Sequence, residues 1–250
     1  MNFQLRKHYI LTTLEQQRSL SVAEVAQHLK ATPITIRRDL AQLAGQGLLV
    51  RTHGGAVLPS VAKHPVAFAR KATANSAQKE YICRLAARHI ADGDFIFIDC
   101  GSTTFQLCAL IRHLKIRVLT NSLPVLGALV GSAVQVVLAG GEVDAERQAV
   151  HGATAAEHLR RYAVDKAFLG VDGLSLQRGL SANSEQEATI SQAVMAGARH
   201  VFLLCDSSKL EQEKYVQFAP LSAVGTLVTD PQAPPALMAQ YRETGLRVLC

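Results

Sequence analysis

Two adjacent arginines, Arg37 and Arg38, are the most distinctive chemical feature of this sequence. They belong to the segment Thr35–Leu40, and a His-Gly-Gly-Ala segment begins thirteen residues after Leu40, at His53. Planar guanidinium groups donate hydrogen bonds to phosphate oxygens and, in pairs, to guanine edges. An arginine pair on a helix, followed by a glycine hairpin, is therefore suited to contact with a DNA duplex.

A second group of polar residues could bind a phosphate. The loop Asp99-Cys100-Gly101-Ser102-Thr103-Thr104 follows the apolar run Phe95–Ile98, which predicts a strand. A glycine lets backbone amides approach an anion, and the three hydroxyl side chains stand next to the positive amino end of a predicted helix. By itself, the loop is explained equally well as an ordinary strand-to-helix turn capped by Ser or Thr.

Further strand ends favour a ligand cleft over a plain turn. Polar or flexible groups follow three other predicted strands, at Thr120–Ser122, Gly140-Gly141 and Asp206–Lys209. Ligands of open α/β sheets bind beyond the carboxyl ends of the strands, so these groups should converge on one cleft. Two lysines, each more often a surface residue when taken singly, could add cations there. The predicted effector-binding residues are Asp99, Gly101, Ser102, Thr103, Thr104, Asn121, Ser122, Gly140, Gly141, Lys166, Asn183, Glu185 and Lys209.

The arginine pair requires helices to position it. Apolar residues at roughly 3.6-residue spacing predict a first helix over residues 4–16. Ser21 and Glu24 form a capping box, which predicts a second helix that runs to about Leu29. Two short strands around residues 52–55 predict a hairpin where a winged-helix domain carries its wing.

The third helix buries one face and exposes another. Thr32 can cap this helix, and Pro33 fits its first turn, where a missing amide hydrogen is harmless. At ~100° per residue, the apolar side chains Ile36, Leu40 and Leu43 fall within about 40° of one another. We therefore expect these three side chains in the core.

The outer face of the third helix carries the candidate DNA contacts. Arg38 lies some 200° from Ile36, and the apolar Ile34 can contact a thymine methyl group. For an isolated motif we would prefer a solvated Arg-Arg-Asp surface with Asp39 as a local partner, but the caps, the turn and the hairpin all agree with DNA binding. The predicted DNA-binding residues are Thr32, Ile34, Thr35, Arg37, Arg38, Gln42, Arg51 and His53.

Short apolar strands alternate with helices beyond about residue 77. Strands are predicted at 95–98, 117–119, 135–138, 166–170, 201–204, 226–228 and 246–249, and helices at about 77–90, 104–113, 124–130 and 186–198. This alternation indicates a mostly parallel, Rossmann-like sheet covered on both faces. The predicted fold class is α/β, with an N-terminal winged helix-turn-helix domain (3–58, helix-turn-helix at about 20–39), a linker (59–76) and a larger α/β effector domain (77–250).

Composition and charge agree with this organisation. The 250 residues are 48% hydrophobic and 18% charged, which argues against disorder. Residues 1–60 hold seven Lys/Arg against three Asp/Glu, so most of the net charge of +6 lies in the candidate DNA-binding part. Because no run approaches the ~20 apolar residues of a membrane span and no secretory signal is recognisable, we expect a cytoplasmic protein without a membrane partner. Five scattered cysteines favour reduced thiols, with Cys100 a weak candidate for a reactive one.

These motifs resemble the DeoR family of bacterial transcriptional regulators. In the first domain the resemblance rests on Ser21-Val22-Ala23-Glu24-Val25-Ala26, Thr35-Ile36-Arg37-Arg38-Asp39-Leu40, Gly47-Leu48 and Arg51-Thr52-His53-Gly54-Gly55-Ala56. In the larger domain it rests on Asp99–Thr104, Thr120–Leu123, Gly140-Gly141, Asp165–Gly170, Asn183–Glu185 and Asp206–Lys209. The resemblance covers nearly the whole chain. It implies an effector domain similar in fold to ribose-phosphate isomerase and glucosamine-phosphate deaminase.

The resemblance also implies a function and partners. The protein would be a DNA-binding regulator, a repressor of a carbohydrate-metabolism operon, that responds to a phosphorylated sugar. Its partners would be double-stranded operator DNA and that effector, and a homodimer or homotetramer would match repeated half-sites. No cofactor, metal or catalytic residue is implied.

Two alternatives remain at this point. One is a sugar-phosphate isomerase or deaminase with an accessory DNA-binding domain, for which Asp99, Asp172 or Glu185 could transfer protons. The other is a nucleoid-type protein without sequence specificity, which would not need a large α/β domain with polar strand ends.

Overall fold

The computed structural model describes residues 3–17, 19–46, 48–52, 54–57 and 73–250. The chain divides into two compact units, residues 1–66 and 67–250. His53 and Gly47, which the sequence motifs include, lie outside the described residues, as do residues 59–72 of the predicted linker. Among the helices of the described ranges, none combines the length and the apolar character that a membrane crossing requires.

The first unit is a three-helix domain with a small antiparallel sheet. Its helices are α1 (Phe3–Gln17), α2 (Val22–His28) and α3 (Pro33–Gly45), and its strands are β1 (Ser19–Ser21), β2 (Val50–Arg51) and β3 (Gly55–Val57). The strands pair in the order β1-β3-β2. The three predicted helices and the predicted hairpin are confirmed. Strand β1 was not predicted, because three residues are too few to show an alternating pattern.

Local contacts explain where α2 and α3 begin. The Ser21 hydroxyl accepts a hydrogen bond from the Glu24 amide at 3.1 Å, and the Thr32 hydroxyl accepts one from the Thr35 amide at 3.2 Å. Each cap satisfies an amide that the helix cannot pair internally. In the sheet, a Cβ on Gly55 would lie 1.8 Å from the Leu20 carbonyl oxygen, so the strands can approach this closely only with glycine at that position.

Helix α3 packs against the core of the first unit through the face that was predicted to be buried. One ion pair also attaches it. Ile36, Leu40 and Leu43 are at most 1% exposed, as expected. Asp39 is also buried, and its carboxylate accepts two hydrogen bonds from the Arg6 guanidinium, at 2.6 and 3.0 Å. The interpretation of Asp39 as a local partner of its arginine neighbours is therefore wrong. It points into the domain and ties α3 to α1.

We predict that Asp39→Asn destabilises the first unit by about 3 kcal/mol, because removal of one member of a buried ion pair leaves the other charge uncompensated. The free energy of unfolding from urea denaturation of the full chain measures this loss. Glu15→Gln, at an exposed position of α1, provides the matched control and should change stability by less than about 0.5 kcal/mol. Equal stability of the two variants would contradict a structural role for the Arg6–Asp39 pair.

The second unit is built on a seven-stranded parallel sheet. Its strands are β4 (Phe95–Ile98), β5 (Arg117–Thr120), β6 (Gln135–Leu138), β9 (Val164–Leu169), β12 (Ala198–Leu204), β14 (Thr226–Val228) and β15 (Arg247–Leu249). They pair in the order β15-β14-β12-β9-β4-β5-β6, and each neighbouring pair is parallel. From β4 the chain proceeds outward to β6, then returns to the other side of β4 at β9. The order therefore reverses between β4 and β9, where α/β sheets form ligand crevices.

Helices cover both faces of this sheet. They are α4 (Ser76–Ala87), α5 (Leu107–Ile111), α6 (Leu123–Leu129), α7 (Ala153–Arg160), α8 (Glu185–Met195) and α9 (Pro235–Glu243). Within β4, Ile96 and Ile98 join a core cluster with α4, α5 and α6, whereas Phe97 joins the cluster with α7, α8 and α9. Successive side chains of a strand point to opposite faces, so the apolar run is explained by burial on both sides.

Several elements of the second unit were not predicted. They are α7, the hairpin of β7 (Glu142–Asp144) and β8 (Ala149–His151), and a three-stranded antiparallel sheet of β10 (Gly173–Ser175), β11 (Gly179–Ala182) and β13 (Val216–Ala219). Strands of three or four residues are too short for a reliable alternation, and tertiary packing decides their formation. The predicted helix 104–113 is shorter than expected, with a 3-10 turn at Thr104–Gln106 before α5.

Candidate functional site

A cleft of about 470 Å³ opens at the carboxyl ends of the central strands of the second unit. Its walls include residues after β4, β5, β9 and β12, together with residues of α4, α8 and the loop between β7 and β8. The cleft therefore lies at the reversal of strand order between β4 and β9. Its volume is within the range of small-molecule sites in proteins.

The Asp99 carboxylate organises the floor of the cleft. It accepts hydrogen bonds from the Gly101 amide at 2.8 Å, from the Gly170 amide at 2.6 Å and from the Thr104 hydroxyl. Gly170 follows β9, so this carboxylate joins the loops after the two strands that flank the reversal. Burial raises the pKa of Asp99 above its usual value, and the three hydrogen bonds oppose that shift. Its oxygens are thus committed to the loops.

The thiol beside Asp99 is not activated. Cys100 also lines the cleft, and burial, followed by the nearby negative charge of Asp99, raises its pKa well above the usual range for a thiol. Nucleophilic cysteines need a lowered pKa. The weak candidacy of Cys100 as a reactive thiol therefore finds no support in its surroundings.

Two lysines supply positive charge at one side of the cleft. Lys79, in α4, is only 5% exposed, and its ammonium group donates a hydrogen bond to the Ser102 hydroxyl at 3.0 Å. Lys209 lies in the 3-10 turn after β12 and also lines the cleft. A buried lysine that faces a cleft and a hydroxyl loop is suited to hold an anion.

Carboxylates of the same cleft are largely engaged with donors. Asp206 accepts from the Ser208 amide at 3.1 Å and from the Asn75 side chain at 3.2 Å. Asp172 accepts from the Asn183 amide at 3.1 Å, and Glu187 pairs with Arg147. Hydrogen bonds and ion pairs reduce the repulsion that these groups exert on a bound anion.

The other side of the cleft is polar and nearly buried. Asn121, after β5, is fully buried, and its side-chain amide donates to the Val150 carbonyl at 3.2 Å. His151, at the end of β8, is 2% exposed. Burial lowers its pKa, the carboxylate of Asp144 opposes the shift, and Arg147 adds to it. The ring is therefore neutral near pH 7.

Seven of the thirteen predicted effector-binding residues line this cleft: Asp99, Gly101, Ser102, Thr103, Asn121, Asn183 and Lys209. Their convergence from four separate segments agrees with the argument from strand ends. Which of them contact an effector stays a prediction. The remaining six do not line the cleft, and each has a structural explanation.

Lys166 is the clearest correction. Its ammonium group forms an ion pair with Asp94 at 2.5 Å, and Asp94 immediately precedes β4. Lys166 thus lies toward the amino end of the sheet, whereas the cleft lies at the carboxyl end. The prediction was wrong because Lys166, a residue within the strand, was assigned to the carboxyl end of that strand.

The glycine pair after β6 is also structural. The Gly140 amide donates to His158 Nδ1 at 3.0 Å, and a Cβ on Gly141 would lie 2.7 Å from the His151 carbonyl oxygen. These glycines allow the chain to pass close to β8 and α7. They shape the wall behind the cleft instead of lining it.

Two further hydroxyl side chains serve local structure, and one carboxylate lies outside the cleft. The Thr104 hydroxyl contacts Asp99 and the Gly101 carbonyl, and the Ser122 hydroxyl caps α6 by accepting from the Val125 amide at 3.3 Å. Glu185 is exposed in the first turn of α8, outside the cleft, whereas Glu187 lines it. Both hydroxyl residues were predicted as ligands because capping and ligand binding use the same residue types.

Sequence reasoning missed several cleft residues. Lys79 lies in a helix, and Arg147 and His151 lie in a hairpin, and none of the three residues directly follows a strand of the parallel sheet. Strand-end reasoning cannot find such residues. A lysine on the otherwise apolar face of α4, with Ile82, Cys83 and Ala86, was the one signal available for Lys79.

The candidate DNA-binding face lies on the first unit. Arg37, Arg38 and Gln42 are exposed, and Ile34 is 75% exposed although it is apolar. Thr35 is half-buried, and its hydroxyl contacts that of Thr32 at 2.9 Å, so both threonines serve the cap as well as the surface. Arg51 is exposed on β2. The roles of these residues, and of His53 outside the described residues, stay predictions.

We predict that acidification from about pH 7.5 to about pH 5.5 lowers the unfolding temperature of the full chain. Burial lowers the pKa values of His151, His89 and His200 from their usual 6.5, so below that pH the unfolded chain takes up protons that the folded chain resists. The contribution of these histidines to the stability of the fold is therefore fully present above their pKa in the unfolded chain, and it is lost as the pH falls below that value. His151→Gln should show a smaller drop in differential scanning calorimetry, and an unchanged or larger drop would contradict the assignment.

Comparisons with known proteins agree with both units. Residues 6–62 match the DeoR-like helix-turn-helix domain, and residues 74–231 match the DeoR C terminal sensor domain. The chain is 34% identical over 235 residues to the glycerol-3-phosphate regulon repressor of Escherichia coli, with 93% of each chain covered. It is 32% identical over 235 residues to the L-fucose operon activator of Haemophilus influenzae, with 94% of each chain covered.

The chain also has a partial structural likeness to an enzyme. Ribose 5-phosphate isomerase A of Methanocaldococcus jannaschii superposes with a TM-score of 0.42 and 20% identity over 55% of each chain. The family matches carry the assignment instead, because together they span both units and nearly the whole chain. The protein belongs to the DeoR family of transcriptional regulators.

Proposed function

We propose that this regulator represses a carbohydrate-metabolism operon and that a phosphorylated sugar, bound in the cleft of the sensor unit, modulates its grip on operator DNA. The observation that carries the proposal is the cleft itself, which combines two lysines beside a hydroxyl loop with Asn121, His151 and the Arg147–Glu187 ion pair. A phosphorylated carbohydrate presents the matching chemistry, an anion joined to several hydroxyl groups.

The phosphate is assigned to the side of Lys79 and Lys209. Ser102 already accepts a hydrogen bond from Lys79, so its hydroxyl hydrogen remains for a phosphate oxygen. Among the described residues, no carboxylate lies within ion-pair distance of Lys209. A dianionic phosphate would balance the charge of both ammonium groups.

DNA contact is assigned to α3 and β2 of the first unit. Arg37 and Arg38 stand exposed on α3 because Asp39 is committed to Arg6, which leaves both guanidinium groups available to phosphates or bases. A homodimer or homotetramer would present this face to repeated half-sites, and the protein would act in the cytoplasm. Repression is the proposed direction, although the two relatives named above are a repressor and an activator.

Regulation requires a difference in affinity. A sugar phosphate can change operator binding only if it binds one arrangement of the DNA-binding units better than another. The cleft walls come from separate segments, α4, α8 and the loop between β7 and β8, and a ligand that contacts several of them would favour the arrangement in which they are closest. We propose that this closure is coupled to the arrangement of the DNA-binding units.

We predict that a sugar phosphate from a panel of triose, pentose and hexose phosphates raises the unfolding temperature of the full chain, because a ligand stabilises the state that binds it. A thermal-shift titration identifies it. Lys79→Met and Lys209→Met should each weaken that ligand at least about ten-fold, the loss expected when one charge-assisted hydrogen bond is removed.

The matched control is Lys115→Met, at an exposed position of the same unit outside the cleft. It makes the same chemical change and should leave the affinity unchanged. If no member of the panel shifts the wild-type protein, or if all three variants bind alike, the proposed phosphate site is wrong.

We predict that Arg38→Ala abolishes measurable operator binding in a gel-shift titration at about 0.15 M salt without unfolding the protein. DNA fragments selected by the wild-type protein from genomic DNA serve as probes. Loss of a guanidinium contact costs about 1–3 kcal/mol for a base and also reduces the phosphate attraction that supplies much of the affinity.

Arg88→Ala, an equal charge change at an exposed position of the sensor unit, is the control. It should bind the selected fragments as the wild type does. Unchanged affinity of Arg38→Ala would remove this residue from the DNA interface.

A further inference from the structure

His151 carries unmet hydrogen-bonding capacity inside the cleft. The side chain is 2% exposed, and neither ring nitrogen makes a well-formed hydrogen bond within the described part of the chain. The Gln186 backbone interacts weakly with the ring and opposes the lowering of its pKa. A buried polar group without a partner costs about 1–3 kcal/mol, so native proteins rarely keep one without a reason. Because His151 lines the cleft, a cleft-bound molecule can reach a ring that the protein itself leaves unpaired.

A second unpaired atom stands beside it. The Asn121 Oδ1 atom is buried and lacks a hydrogen bond to any described residue, while the Nδ2 of the same amide donates to the Val150 carbonyl. The Val150 amide in turn donates to the Asn121 carbonyl at 2.7 Å. These two bonds fix Asn121 against β8 at Val150, one residue before His151. Both side chains line the cleft, and together they carry three buried atoms that lack a hydrogen bond to the described residues: Asn121 Oδ1, His151 Nδ1 and His151 Nε2.

The chemistry of this pair matches hydroxyl groups. A neutral imidazole has one nitrogen that donates and one that accepts, and an amide oxygen accepts. A carbohydrate hydroxyl both donates and accepts, so it can satisfy either atom. A phosphate oxygen, which carries no hydrogen when ionised, could pair only with the donor nitrogen and would repel the Asn121 oxygen.

The position of the pair separates it from Lys209. Asn121 follows β5 and Lys209 follows β12, and the sheet order β12-β9-β4-β5 places three inter-strand steps between them. At ~4.8 Å per step, these two residues lie about 14 Å apart along the sheet edge. Lys79 stands between them, since its partner Ser102 follows β4. A phosphate bound beside Lys209 and Lys79 therefore leaves the carbohydrate part of the same ligand to extend toward Asn121.

From this juxtaposition we propose that His151 reads the hydroxyl groups of the effector and so determines which phosphorylated carbohydrate the cleft accepts. The proposal rests on the proposed function, because it assigns the second half of the same ligand. In it, Asn121 is the neighbouring acceptor, and Lys79 with Lys209 holds the phosphate. His151 contributes selectivity, since a ligand that lacks a hydroxyl there would leave the ring unpaired.

The test compares two ligands in two variants of the full chain. His151→Phe keeps a ring of similar shape and removes both nitrogens, and His151→Gln keeps one donor and one acceptor. Isothermal titration measures inorganic phosphate and the sugar phosphate that most stabilises the wild type. For His151→Phe we expect about a ten-fold loss of affinity for the sugar phosphate and an unchanged affinity for inorganic phosphate. His151→Gln should recover part of the loss.

Stability distinguishes this role from a structural one. Replacement of an unpaired buried polar group by an apolar group of similar shape is nearly neutral or stabilising. His151→Phe without ligand should therefore unfold at the wild-type temperature or above it. A large destabilisation, or equal loss of both ligands, would assign His151 to the framework and overturn the proposal.

Two further outcomes separate the proposals. If His151→Phe binds the sugar phosphate as the wild type does, a water molecule satisfies the ring and His151 reads nothing, while the phosphate site stands. If the wild type binds neither inorganic phosphate nor any sugar phosphate, the proposed function and this inference fail together.

Discussion

The carboxylate of Asp99 is the interaction on which the sensor unit depends. It accepts hydrogen bonds from Gly101, Gly170 and Thr104, and so joins the loops that follow β4 and β9. These are the two strands between which the order of the sheet reverses, where a parallel sheet leaves an opening at its edge. One carboxylate therefore joins two of the loops that line the cleft in which the ligand is proposed to bind.

The bonding partners of the charged side chains in the cleft matter more than the number of charged side chains. Five carboxylates and three cationic side chains line it, a count that alone would argue against an anion. Asp99 is surrounded by donors, and Glu187 is paired with Arg147, so the fields of these groups are partly satisfied locally. Lys79 stands beside a neutral hydroxyl. The local partners of each charge decide what the cleft can hold.

In the first unit, too, pairing of one charged side chain decides which other charges remain on the surface. In its Arg-Arg-Asp segment, the acid turns inward to Arg6 and the two arginines remain on the surface. The inward ion pair fixes the rotation of α3 about its axis, together with Ile36, Leu40 and Leu43. The helix that carries the two exposed arginines is therefore held in one rotational position, while their side chains remain on the surface.

Local patterns determined most of the architecture. The caps at Ser21 and Thr32, the apolar spacing of α3 and the apolar runs of the parallel strands depend on residues close in sequence, so they were predictable. Loops at strand ends followed as well, because parallel strands share an edge, and this placed Asp99, Ser102 and Asn121 in the cleft.

Tertiary structure alone decided the rest. Lys79, Arg147 and His151 reach the cleft from elements that pair or pack over long sequence distances. The sequence around Arg147 and His151 gives no signal of a site, and that around Lys79 gives only a lysine on an apolar helix face. Lys166 failed as a prediction because a residue type and a motif do not tell which end of a strand it occupies or that Asp94 lies opposite. Sequence periodicity indicates which face of a helix or strand a residue occupies. Partners that are distant in the sequence decide whether its charge is paired or can bind a ligand.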